Sequence, residues 1–371
     1  MRVPPIKMLQ DIKRLAGASG RVIRHQVAPV ESPDPVLPLF QGTEKFSEPW
    51  LTAMHSTAAI SPPFDLACYI IKDATITGDG QVWIDDHLVI DTEIMPGYVQ
   101  AVLDLKNGGN TTLRGAERLP VRTIYSPCLV ASGHGIHVYG HFLVEMLFRI
   151  LIVERLFEFS RPFYKILLDK NCPSWLLRIL IDDLKFDQED LEFFDPISER
   201  ISLAHAIVPT HISRNERFHR RANDLLSNLT DRVDFTSDFV APARVFIKRK
   251  CFRNSASRQR ICRNEFDLAA LAEERFGFES IVPESLTWRQ QVALFQQAEI
   301  ILGQAGSALH TALFSRSGTR LASIGVMNFT QSSIGSLRKQ HNAFFTIGAT
   351  LQDEFSIDET LFEQFLNAFC A

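Results

Sequence analysis

His141, Glu145 and Arg149 recur every four residues inside the run GHFLVEMLFRILI (140–152). On an α-helix this spacing keeps all three on one face, spread over about 80° at roughly 100° per residue. Nearly all the other residues of the run are apolar, which predicts a buried helix. Buried charges need partners, so the stripe either pairs with itself or lines a cleft. In a cleft, His141 is a general base near neutral pH, and Glu145 either orients it or stands as the second candidate base. His134 and His137 precede His141 and are candidates for the same cleft. His137 and His141 have a metal-ligand spacing, but no third ligand is convincingly placed, so no metal is expected.

A second constellation is ILGQAGSALHTALF (301–314). An apolar strand ends at Gly303, a tight loop passes through Gly306, and a helical pattern starts at Ser307 with His310 in its first turn. Small residues let a ligand approach the backbone, and the free N–H groups of a helix start attract phosphate, with Ser307 read as the N-cap. The alternative is an ordinary strand-to-helix turn. Neither the P-loop lysine nor G-x-G-x-x-G is present. Just upstream, residues 244–263 hold eight cations and no acid. Lys248 and Arg249 end a predicted strand there, where open α/β sheets gather ligands, and Arg258 follows; the bland reading is a solvated loop. Glu265 and Glu284 are candidates for sugar or ribose hydroxyls, Glu265 equally for a first-turn acid on its helix.

The elements that must position these residues alternate. Strands are expected at 121–130, 164–169 and 204–209, with helices at 137–159, 173–184 and 214–229. After a linker near 231–242 the series restarts: strands at RVFIKR, ESIVP, EIILG and RLASIG, helices at 264–276, 288–297 and 307–315. Thr287 and Gln290 form a capping box, and Gly277 is placed as a helix C-terminus. Such alternation predicts an α/β fold with parallel sheets. Residues 66–104 read as a small β-hairpin region. The expected divisions are a lead-in over 1–63, an α/β domain over 64–236 and a Rossmann-like domain over 237–371. The lead-in combines a basic amphipathic helix with a Pro-rich stretch over 28–63, the helix lying on a membrane surface or packing on the body.

Composition narrows the function. The 371 residues carry a net charge of −4 and 46% hydrophobic residues, so a nucleic-acid binder is disfavoured. The 28 phenylalanines predict a Phe-rich core. Six scattered cysteines without a C-x-x-C pair favour a reducing compartment, and no segment is free enough of charge to span a membrane. A cytoplasmic protein, with peripheral membrane contact as the alternative, is expected.

Together, GHFLVEMLFRILIV, the strand end IKRK, and RNEFDLAALAEERFGFESIVPESLTWRQQVALFQQAEIILGQAGSALHTALF resemble glycosyltransferase family 61. The resemblance covers about 130–325 and rests on the order and spacing of its parts. It implies a GT-B-like architecture, two Rossmann-like domains facing across a cleft, with a nucleotide-sugar donor held mainly by the C-terminal one. By position, Arg249, Glu265, Gln291, Gly303, Gly306 and Ser307 match the family's C-terminal motifs, and His141, Glu145 and Arg149 its N-terminal one. The implied activity is inverting, metal-independent sugar transfer, without a cofactor, to a glycan or lipid-linked acceptor in bacterial capsular or other surface-polysaccharide synthesis. Arg249, Arg258 and His310 are then expected at the donor diphosphate. Two positions depart from the pattern: Ala305 stands where many members carry His, and Thr311 where Asn is common. A non-catalytic nucleotide- or glycan-binding relative is the alternative.

Overall fold

The computed structural model describes residues 7–9, 11–18, 20–34, 43–46, 62–78, 80–85, 87–89, 94, 118–131, 135–157, 163–214, 217–235, 239–249, 261–325, 329–346 and 354–371. The chain divides into two compact units, 1–32 with 63–214 and 33–62 with 215–371.

The first unit is built on a ten-stranded sheet. Its order is β1 (Lys7–Leu9), β5 (His87–Val89), β4 (Gln81–Ile84), β3 (Phe64–Thr77), β10 (Arg200–Pro209), β7 (Cys128–Val130), β8 (Lys165–Asp169) and β9 (Leu191–Phe194). β2 (Val22–Glu31) also pairs with β3, and β6 (Val121–Ile124) with β10. From β10 to β9 the pairing is parallel, as alternation predicts. The other half departs from that expectation: β2, β4 and β10 all pair antiparallel with β3, so the sheet is mixed. The reason lies in β3 itself, fourteen residues long and mostly buried, which pairs along one edge with β10 from Ile201↔Ile76 to Pro209↔Cys68. The described part of the expected hairpin region, β3 to β5, therefore belongs to a large sheet, turned at Gly78 and Gly80, both at positive φ, while residues 95–104 lie outside the described residues.

Other local differences have local causes. The strand expected over 121–130 is two strands, because Pro127 has no N–H to continue a ladder. The helix expected over 173–184 is α3, running through Ser174–Arg178 and Ile179–Asp183, and the one expected over 214–229 is α4 (Ala222–Arg232). Arg217, Phe218 and His219 ahead of it are buried instead, and the His219 Nδ1 accepts the Arg221 N–H at 3.1 Å, fixing a non-helical entry. In α1 (Ile12–Ala18), Ile12 belongs to the core of the unit and Leu15 and Ala16 pack against it, while Lys13 and Arg14 face solvent. The apolar face of this helix is thus used within the protein, as the packed-helix alternative requires. Among the described residues, no helix is long and apolar enough to cross a membrane.

The second unit has a five-stranded, wholly parallel sheet. Its order is β12 (Glu279–Ile281), β11 (Arg244–Ile247), β13 (Ile300–Gln304), β14 (Arg320–Gly325) and β15 (His341–Thr346). The near-continuous apolar runs of these strands suit a sheet covered on both faces. The connecting helices are α5 (Glu265–Phe276), α6 (Trp288–Gln297), a 3₁₀ helix over Ser307–Phe314 and α7 (Phe329–Arg338), followed by α8 (Glu359–Cys370). The Thr287–Gln290 capping box is formed in both directions, and Gly277 ends α5 in the left-handed region at φ 68°. The core is Phe-rich: Phe362, Phe365, Leu366 and Phe369 of α8 are fully buried, each contributing about 1.5–3 kcal/mol. Phe46 stacks on Phe345 at 5.7 Å and meets Phe365 edge-on at 5.4 Å, which ties 43–46 to this unit.

Candidate active site

In the first unit, helix α2 carries the His–Glu–Arg stripe. It runs through Tyr139–His141, Phe142–Met146 and Leu147–Leu156, and its middle five residues are wound as a π-helix. His141 Nδ1 lies 2.7 Å from Glu145 Oε1, an i,i+4 contact, and the wider turn is of a kind that recurs at functional sites. His141, Glu145 and Arg149 line one small pocket with Ala131 and Ile136. Gly135 packs flat on the His141 ring; it sits at φ 89°, and a Cβ there would lie 2.8 Å from the ring carbons. The glycine therefore allows both the turn and the close approach.

The hydrogen bond to Glu145 raises the pKa of His141 above its ordinary value, burial opposes the rise, and the Glu145 charge adds to it. The ion pair therefore stabilises the fold fully below the ordinary histidine pKa, and that contribution is lost as pH rises through the raised one. Glu145→Gln is expected to lower the His141 midpoint, because burial is then no longer outweighed by the Glu145 bond and charge, read from its imidazole proton shifts by NMR. An unmoved midpoint would remove Glu145 as the cause.

Arg149 is only 5% exposed, and its guanidinium reaches both Ala131 and His211. Nη1 donates to the Ala131 carbonyl at 3.3 Å, and Nη2 lies 3.3 Å from His211 Nε2. That contact needs a neutral His211 ring. Burial pushes the His211 pKa well below its ordinary value, the Arg149 charge adds to the drop, and a bond to the Ile94 backbone opposes it. His137 Nε2 stands 3.8 Å from Asp169 Oδ2. Ala131, Asp169 and His211 follow or end β7, β8 and β10, so the whole group sits at the carboxyl edge of three adjacent parallel strands.

In the second unit the glycine loop also occupies a carboxyl sheet edge. Gly303 lies opposite Ile247 in the β11–β13 register, and a Cβ there would meet Ile247 Cβ at 2.9 Å, its carbonyl at 3.1 Å and Leu309 at 3.2 Å. Gly306 is different: its backbone is extended, and an added Cβ would meet the Arg249 guanidinium carbon only at 3.9 Å. The strand-end arginine thus lies over the loop. Its backbone N–H donates to Glu265 Oε1 at 3.2 Å. Burial raises the Glu265 pKa; the Arg249 N–H and the charges of Arg249 and Lys248 oppose this, and Glu284 adds to it. Lys248 Nζ rests 4.3 Å from the Phe266 ring centroid. We expect Gly303→Ala to destabilise this unit by about 1–3 kcal/mol in urea unfolding, with Gly306→Ala near wild type. Equal stability of the two variants would contradict the packing at Gly303.

Several placements differ from expectation. Gly306, not Ser307, is the N-cap, and Ser307 opens a 3₁₀ helix, so the Ser307 side chain makes no cap bond. His310 is 8% exposed, within the first turn but largely buried. Ala305 is buried and continues the ladder through its N–H to the Ile324 carbonyl. Gln291 donates to the Pro283 and Leu286 carbonyls at 3.0 and 3.2 Å, bracing the turn that carries Glu284. His134 and Arg258 lie outside the described residues. His211, Asp169 and Gly135 were not singled out from sequence; the first two end or follow apolar strands, which was the available signal. Among the described residues, no three His, Cys, Asp or Glu side chains gather as metal ligands.

Residues 139–322 match the family model of glycosyltransferase 61, from the first turn of α2 into β14. Both constellations fall inside this span, and the match supports membership of that family. No curated protein matches the chain.

Proposed function

We propose that this chain, a transferase by its glycosyltransferase 61 segment, moves a sugar with inversion from a nucleotide-sugar donor to a glycan or lipid-linked acceptor. The observation that carries the reading is the Arg249 guanidinium over Gly306 at the carboxyl edge of a parallel sheet. In a GT-B division of labour, the second unit takes the donor. Arg249, with Lys248, the proposed Arg258 and the first turn around Ser307 and His310, faces the diphosphate, and Glu265 and Glu284 face ribose or sugar hydroxyls.

The first unit supplies the base. With Nδ1 on Glu145, His141 has Nε2 left for the acceptor hydroxyl. The hydroxyl proton passes to Nε2 as its oxygen bonds to the anomeric carbon and the bond to the diphosphate breaks. The electron pair of that bond leaves on the diphosphate, where Arg249 offsets the charge without a metal ion in this reading. Surface-polysaccharide synthesis is the setting we propose.

A second reading, a non-catalytic nucleotide- or glycan-binding relative, is favoured by the buried His310 and by Ala305 in the loop. Thermal-shift measurements with UDP-, GDP-, CMP- and dTDP-sugars separate these readings. Stabilisation by one donor together with its slow hydrolysis supports transfer. Binding without any turnover supports the second reading, and no stabilisation by any donor removes both.

A further inference from the structure

The second unit holds a cavity of about 310 Å³ away from the glycine loop. α6, the 3₁₀ helix and α7 all leave the sheet at its carboxyl edge, so their last turns meet at the opposite, amino edge. Gln296, Leu313, Arg316 and Arg338 at or just beyond those helix ends line the cavity, together with Leu226 and Ser227 of α4.

Two cations border it without a carboxylate. Arg338 is largely buried, and its guanidinium is held by neutral acceptors, the Ser315 carbonyl at 3.2 and 3.1 Å and Asn223 Oδ1 at 2.7 Å. Burial lowers its pKa, and no acid offsets that. Arg316 is exposed and makes no side-chain hydrogen bond or ion pair among the described residues. The carbonyl ends of the surrounding helices offset part of this positive charge. Two arginines sharing one concavity nevertheless remain an anion-selective pair.

The rest of the lining narrows the ligand. Leu226 and Leu313 give an apolar floor. Ser227 and Gln296 have side-chain polar groups with no intramolecular bond among the described residues, whereas Gln297 is used at both ends on the chain, by the Phe239 carbonyl and the Ala241 N–H. Free hydroxyl and amide groups, an apolar floor and two guanidinium forks match a ring bearing hydroxyls and one anionic group. The volume is at the lower end of ligand pockets, enough for one sugar residue and too small for a nucleotide sugar.

We infer that this cavity is a second, non-catalytic binding site for a single acidic sugar residue, a uronate or a sugar phosphate. The inference does not depend on the donor reading. It is tested on the full chain by calorimetric titration with glucuronate, glucose 6-phosphate, glucose and inorganic phosphate. Saturable binding of glucuronate or glucose 6-phosphate is expected, with neither glucose nor inorganic phosphate matching it. Arg316→Gln is expected to weaken it by about tenfold or more, since a charge-assisted hydrogen bond is lost. Ser227 is exposed on α4, so Ser227→Trp covers the mouth without disturbing the core and is expected to abolish binding at an unchanged melting temperature. Arg249→Ala is expected to leave it intact, which separates this site from the donor site. Absence of saturable binding by either acidic sugar up to about 10 mM overturns the proposal. So does binding unaffected by both Arg316→Gln and Ser227→Trp, or inorganic phosphate binding as tightly as the sugars.

Discussion

His141→Ala is expected to lower kcat by about 10²- to 10⁴-fold, the range a positioned general base contributes, while nucleotide-sugar binding stays near wild type. The split follows from placement. His141 belongs to the first unit and the Arg249–Gly306 pair to the second, so removing the imidazole leaves the proposed donor seat untouched. The imidazole is 45% exposed and lies on Gly135, so its loss opens no buried cavity. Glu145→Gln should cost less than His141→Ala and should shift the acidic limb of the kcat profile to lower pH. In the proposed mechanism the protonated His141 is the inactive form, and the Glu145 bond that raises its pKa is then weakened. Near-normal turnover by His141→Ala on the true acceptor would transfer the role of base to another group, with Glu145 the next candidate.

Arg249→Ala is the second large effect, expected at about 10²- to 10³-fold in kcat together with weaker donor binding. The substitution isolates the guanidinium, because the backbone N–H that holds Glu265 is retained. Arg249→Lys should recover only part of the loss, since an ammonium keeps the charge but not the fork that fits phosphate oxygens. Unaltered donor binding and turnover in Arg249→Ala would separate the basic strand end from the chemistry.

The second unit was legible in the sequence from β11 to β14, whereas α7, β15 and α8 were not assigned there. Its strands are short apolar runs, and its helices carry their own start and stop signals in Thr287, Gln290 and Gly277. The first unit was harder to read. The direction in which β10 pairs with β3 is a contact between segments more than a hundred residues apart, and no local pattern encodes it. The entry to α4 was misplaced because Arg217 and His219, which look exposed by type, are buried. At the site, His141 and Glu145 were found because their contact is local to one helix. His211 was not, since it meets Arg149 only through the packing of β10 beside β7. The π-helical turn was also invisible, because the same residues satisfy an α-helical pattern.

The central claim is a single displacement from a nucleotide sugar, and the anomeric configuration of the transferred sugar tests it most directly. With the donor found by screening and its acceptor, the ¹H NMR coupling at the new anomeric centre should report the configuration opposite to that of the donor, with release of the nucleotide. A product that retains the donor configuration would contradict the His141 mechanism, and failure of every donor to release nucleotide would contradict transfer itself.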